Sequence, residues 1–117
     1  MLGADAKIDL VGNSGPYLVP EPKADITAYI GKSFSHSFGK AYDIEGDAVK
    51  INVDLGRAYE FANFDFITNS LTIAEGATNL RHPRFTTITM TLTDDNPIVS
   101  VTTYKFRLVL EELLAKG

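Results

Sequence analysis

Thr87-Ile88-Thr89-Met90-Thr91-Leu92-Thr93 is a strict alternation of polar and apolar residues, and the turn Asp94-Asp95-Asn96-Pro97 follows it directly. Successive side chains of a strand point to opposite faces, so Ile88, Met90 and Leu92 share one face and the threonines the other. After the turn, Val99 to Leu110 carries Tyr104, Phe106, Leu108 and Leu110 in one phase. Two such runs joined by a short turn predict an antiparallel hairpin with one apolar face. Val99 and Val101 occupy the opposite phase, which predicts a bulge or edge crossover near Thr102-Thr103.

The same period of two recurs upstream. Ile26, Ala28 and Ile30 alternate from Asp25, and Gly31-Lys32 breaks the run. Phe34, His36 and Phe38 then alternate with three serines, and Gly39 ends that strand. Val49, Ile51, Val53 and Leu55 alternate with Lys50, Asn52 and Asp54, and Gly56 closes the run. Arg57 to Asn69 is rich in aromatics without a clean period, and Ser70 to Ile73 is a short strand. Tyr17-Leu18-Val19, flanked by prolines, reads as a short edge piece. About seven strands, each with one apolar face, predict two sheets packed face to face. The expected fold is all-β: a seven-stranded, antiparallel Greek-key sandwich of immunoglobulin-like topology. The expected organisation is an N-terminal strand or linker over 1–22, the sandwich over 23–112, and a tail over 113–117.

With 117 residues and 44% hydrophobic composition, the chain fits one domain with a real core. It has no cysteine, so neither disulfides nor thiolate chemistry enter. A net charge of −4 and scattered lysines argue against nucleic acid as a partner. No apolar stretch is long enough for membrane insertion, and Met1 to Leu10 has no secretory core. The chain reads as cytosolic or as an excerpt of a longer exported protein, and its abrupt ends favour the excerpt.

Two acidic turns stand at strand ends: Asp43-Ile44-Glu45-Gly46-Asp47 before Val49, and Asp94-Asp95-Asn96-Pro97 after Thr93. In seven-stranded immunoglobulin-like topology the second-to-third and sixth-to-seventh connections lie at one end. Both acidic turns would then meet at the pole where the chain enters. Clustered carboxylates suit a hard cation, which takes six to eight oxygen ligands. Asp, Asn and Gly are also ordinary turn residues, and plain solvated turns account for the same pattern.

No Ser, His and acid set has catalytic spacing, and Gly12-Asn13-Ser14-Gly15 lacks the lysine of a phosphate loop. The expectation is a non-enzymatic domain. His36 lies in phase with Phe34 and Phe38 and should face the core or its rim. His82, before Pro83, reads as exposed. The aromatic run Tyr59 to Phe66 reads as core closure between sheets. The alternative is an exposed platform in a ligand-binding module, for example a carbohydrate-binding one, with Tyr59 as its test.

Four features, in order, resemble a cadherin-like domain of the dystroglycan type, an immunoglobulin-like extracellular repeat. They are Ile30-Gly31-Lys32-Ser33-Phe34-Ser35-His36, Tyr42-Asp43-Ile44-Glu45-Gly46-Asp47-Ala48-Val49, Phe64-Asp65-Phe66 to Thr72, and Thr87 to Thr93 with Asp94. Together they span roughly Ala24 to Leu110. The chain departs from the family in having no tryptophan and in carrying Glu45 as the middle acid of its first turn. The resemblance implies a structural or adhesive repeat of an extracellular or cell-surface protein. It also implies calcium at the joint to an adjacent repeat, of the same chain or of another protein. Asp43 and Glu45 match the family's turn acids and Asp94 its strand-end acid. Asp47 and Asp95 are expected as additional ligands, with the Asn96 carbonyl as a further one.

Overall fold

The computed structural model describes residues 15–113. Residues 1–14 and 114–117, where most of the expected N-terminal segment and C-terminal tail fall, lie outside the described residues. Among the described residues nine strands run in order: β1 (Tyr17–Val19), β2 (Asp25–Tyr29), β3 (Phe34–Ser37), β4 (Lys40–Tyr42), β5 (Val49–Asp54), β6 (Ala62–Asp65), β7 (Ser70–Ile73), β8 (Phe85–Asp94) and β9 (Val101–Glu111). A short 3-10 helix, Gly56–Glu60, links β5 to β6.

One sheet has the order β2-β9-β8-β5 and another β3-β7-β6. The pair β1-β4 prolongs the second sheet, because β4 resumes the line of β3 after only Phe38 and Gly39. Counting β3 and β4 as one interrupted strand leaves eight strands against the seven expected, β1 being the addition, and the all-β sandwich is as expected. Its pairings are antiparallel apart from β2 with β9, which run parallel from Asp25↔Arg107 to Tyr29↔Glu111.

Interleaved side chains from both sheets form the core. Ile88, Met90 and Leu92 of β8 face Leu71 and Ile73 of β7, and all five are almost fully buried. Burying each such side chain contributes about 1.5–3 kcal/mol. Leu18 of β1 is in the same core, and its N–H donates to the Tyr104 hydroxyl of β9 at 3.1 Å. β1 is therefore a packed part of the sandwich rather than a linker before it.

One expectation is corrected. No bulge interrupts β9: its register with β8 is unbroken from Thr93↔Val101 to Phe85↔Val109. Val101 simply faces outward, opposite Thr93 and in phase with Thr103, on the solvent face of the sheet. Gly39 does stand at the end of β3, and it marks a close crossing, since a Cβ there would overlap the Val19 carbonyl oxygen. Glycine allows the β1–β2 connection to pass over, and the chain then continues as β4.

Candidate cation site at the acidic pole

The pairing Tyr17↔Tyr42 and the pairing Val49↔Asp94 place the chain entry and both acidic turns at one end of the sandwich. The C-terminal end of β9, paired to Tyr29, lies at the other.

The first turn is organised by Asp43. Its Oδ1 accepts the Glu45 N–H at 2.8 Å and, more weakly, the Asp47 N–H at 3.4 Å. Its carbonyl accepts the Gly46 N–H at 2.9 Å, and Gly46 takes the left-handed conformation with φ 83°. That reversal turns Asp47 back toward Asp43 and leaves Glu45 exposed.

The second turn begins with an unusual placement. Asp94 continues the inward phase of Ile88, Met90 and Leu92 and is only 4% exposed. Its Oδ1 accepts the Ser100 N–H at 3.0 Å. Burying a carboxylate costs free energy unless it is hydrogen-bonded or meets a cation.

Side chains of one turn lace it to the other. Asp95 Oδ1 accepts the Ala48 N–H, and the Asp95 N–H donates to the Ala48 carbonyl, both at 3.1 Å. Asn96 Nδ2 donates to Asp47 Oδ2 at 2.9 Å, while Asn96 Oδ1 accepts the Ile98 N–H.

Asp43, Asp47 and Asp94 each present a carboxylate oxygen, all within 4.8 Å of one another. Calcium–oxygen distances of about 2.3–2.6 Å put opposite ligands about 4.6–5.2 Å apart, so the three oxygens fit one coordination shell. The Asp43 Oδ2 is buried with no hydrogen-bond partner among the described residues. A buried carboxylate oxygen without a donor is costly, and a cation in the cluster would satisfy it. Of the five acids read from the sequence, three converge. Glu45 and Asp95 do not join the set: Glu45 lies exposed outside it, and Asp95 holds the two turns together. The Asn96 side chain and Ser100, which orient Asp47 and Asp94, were not singled out in those roles. Only the fold shows which donors reach them.

Asp65 marks the contrast. It caps the β6–β7 turn by accepting the Ile67 and Thr68 N–H groups, and these hold its carboxyl below the usual range. This is ordinary turn chemistry, and Asp65 belongs to no cluster of three such acids among the described residues.

The aromatic and histidine positions divide. Phe61 is buried and Phe64 partly so, whereas Tyr59 is 71% and Phe66 56% exposed; core closure accounts for only half of that run. His36 packs at the core rim against Phe34 and Phe38. Burial, with a smaller effect of the Lys23 charge, lowers its pKa. His82 is not simply exposed: it is half-buried, its ring lies 4.6 Å from that of Phe61, and its Nδ1 accepts the Asn79 N–H.

No family model and no curated protein matches the chain. Solved structures do. Drosophila N-cadherin EC1–4 aligns with TM-score 0.65 at 15% identity, over 85% of this chain and 25% of that one. Human protocadherin-24 EC1–2 aligns with TM-score 0.59 at 12% identity, over 85% and 44%. A nucleoside hydrolase-related hypothetical protein from Saccharophagus degradans, associated with carbohydrate metabolism, aligns with TM-score 0.61 at 14% identity, over 85% and 26%. The chain thus spans less than half the length of each. The fold is cadherin-like.

Proposed function

We propose that this domain is a non-enzymatic structural or adhesive repeat of a longer extracellular or cell-surface protein. In this reading calcium at the acidic pole stiffens its joint to an adjacent repeat. The observation that carries the reading is the convergence of Asp43, Asp47 and Asp94 around the unpartnered Asp43 Oδ2. Asp43, Asp47 and Asp94 would hold the ion, which would neutralise their mutual repulsion. Calcium's remaining oxygen ligands would come from water and from the neighbouring module. Exposed Ile44, Ile98 and Val99 beside the acids offer that module an apolar rim. The dystroglycan type remains the closer family assignment within this reading. Among the described residues no helix is long and apolar enough to cross a membrane, and we assign this domain no membrane insertion and no nucleic-acid partner. The test is a thermal melt in calcium and in chelator, for this domain and for a two-repeat protein. Calcium should raise both transitions, the longer protein's more; identical melts would reject the ion.

A second reading rests on the exposed Tyr59 and Phe66. Aromatic faces in water suit a carbohydrate-binding module. Glycan-array binding that disappears in Tyr59→Ala would favour it over the adhesive role.

A further inference from the structure

β5 ends its sheet and pairs on one side only, with β8. The Asp95 N–H donates to the Ala48 carbonyl, so in this antiparallel ladder Lys50, Asn52 and Asp54 turn their backbone groups toward β8. Val49, Ile51 and Val53 turn theirs the other way, along an edge that no strand among the described residues covers. No proline or glycine interrupts the edge, and its register with β8 is unbroken. An open edge of this kind is a template for a further strand. The core-facing side chains of Val49, Ile51 and Val53 also stay partly exposed, whereas Ile88, Met90 and Leu92 of the neighbouring β8 are buried.

The pattern of the edge selects the strand that fits it. In Val49-Lys50-Ile51-Asn52-Val53-Asp54-Leu55 the apolar residues alternate symmetrically about Asn52, and a base and an acid stand at equal distances from it. Two copies laid antiparallel about a two-fold axis at Asn52 set Lys50 opposite the second copy's Asp54, and Asp54 opposite its Lys50. On the core side Ile51 then meets Val53, with both backbone bonds exchanged, and Val49 meets Leu55. A slip of one residue would set apolar against polar faces, and a slip of two would set Lys50 against Asn52 or Gly56. Lys50 is exposed and has no carboxylate partner among the described residues. Asp54 Oδ1 accepts the Gly56 N–H at 2.9 Å, which holds the carboxylate and leaves Oδ2 for an ammonium.

We propose that β5 is a self-association edge, through which a second copy of this chain joins its sheet to form one continuous sheet across a two-fold axis. The inference goes beyond the calcium-stiffened joint and does not rest on it, because Asp43, Asp47 and Asp94 take no part in the pairing.

Sedimentation equilibrium of the chain up to about 1 mM tests this, since a single shared edge gives a small interface of the weak, transient kind. The wild type should form a dimer, equally in calcium and in chelator. Lys50→Asp sets like charges opposite one another at both ends of the seam, and Asp54→Lys does so with the other sign. Each should weaken dimerisation about tenfold. Their equimolar mixture should recover the dimer, because one copy then carries acids and the other bases at both positions. Hydrogen exchange at the Ile51 and Val53 amides should slow as wild-type concentration rises, a readout that needs no variant. A chain that stays monomeric, a dimer undiminished by Lys50→Asp, association that requires calcium, or protection that gathers outside 49–55 would overturn the proposal.

Discussion

Replacing Asp43 by Asn should stabilise the metal-free protein and, in the same molecule, abolish most of its response to calcium. The Oδ1 of Asp43 accepts the Glu45 and Asp47 N–H groups, and an asparagine oxygen can keep both. The Oδ2 is buried without a partner, in a cluster with the Asp47 and Asp94 carboxylates. An NH₂ group there would donate to those carboxylates and remove one negative charge. An unsatisfied buried group costs about 1–3 kcal/mol, so a gain of about 1–2 kcal/mol is expected without metal. For 117 residues, an unfolding entropy of about 2.1 cal/mol/K per residue gives about 250 cal/mol/K in all, hence a rise of about 4–8 °C. Calcium should act mainly on the wild type. With the affinity of extracellular modules, Kd about 0.1–1 mM, 10 mM calcium stabilises the wild type by about 1.4–2.7 kcal/mol, or about 6–11 °C. In Asp43→Asn that increment should fall to a small fraction. Differential scanning calorimetry in chelator and in 10 mM calcium reads all four transitions. A variant that melts lower in chelator yet keeps the full calcium increment would refute the reasoning.

Gly39→Ala should destabilise the fold by about 3 kcal/mol or more, because its Cβ would overlap the Val19 carbonyl and the chain cannot yield there without unseating Leu18; urea denaturation checks this. Ile88→Ala, which empties a fully buried site in β8, should cost about 2–5 kcal/mol by the same assay. His36 makes stability depend on pH. Burial between the rings, reinforced by Lys23, places its folded pKa below the ordinary 6.5. The unfolded chain therefore takes up the proton first. The contribution is complete above pH 6.5, declines as pH falls from there toward the folded pKa, and is constant below it. Chemical denaturation between pH 7.5 and pH 5 should show that decline in the wild type and a flatter profile in His36→Phe.

The hairpin β8–β9 was legible because its polar and apolar residues alternate without a break, and one face is buried by the opposite sheet. Asp94 was visible as an acid of the turn that ends this run, and the fold adds that it keeps the inward phase of Ile88, Met90 and Leu92 and is buried. Other features depend on contacts between segments distant in sequence. Gly39 looks like an ordinary strand end, and only the fold shows that Val19 crosses over it. Val101 looks out of phase until its pairing with the outward Thr93 is seen. In the turn 43–47 three acids are equivalent by composition. The left-handed Gly46 and the Asn96 side chain decide that Asp47, and not Glu45, faces Asp43 and Asp94. Asp95 was expected as a ligand because it is an acid beside an acid. Its carboxylate instead satisfies the Ala48 N–H, a partner 47 residues away in the chain.

The central claim is that Asp43, Asp47 and Asp94 form one cation site. Calcium titration monitored by backbone amide NMR tests it most directly. The account predicts saturable shifts concentrated in 43–48 and 94–100, with the Asp65 turn unmoved and the shifts lost in an Asp43→Asn, Asp47→Asn double variant. Unchanged spectra at saturating calcium, or shifts of the same size at Asp65 and in the double variant, would contradict it.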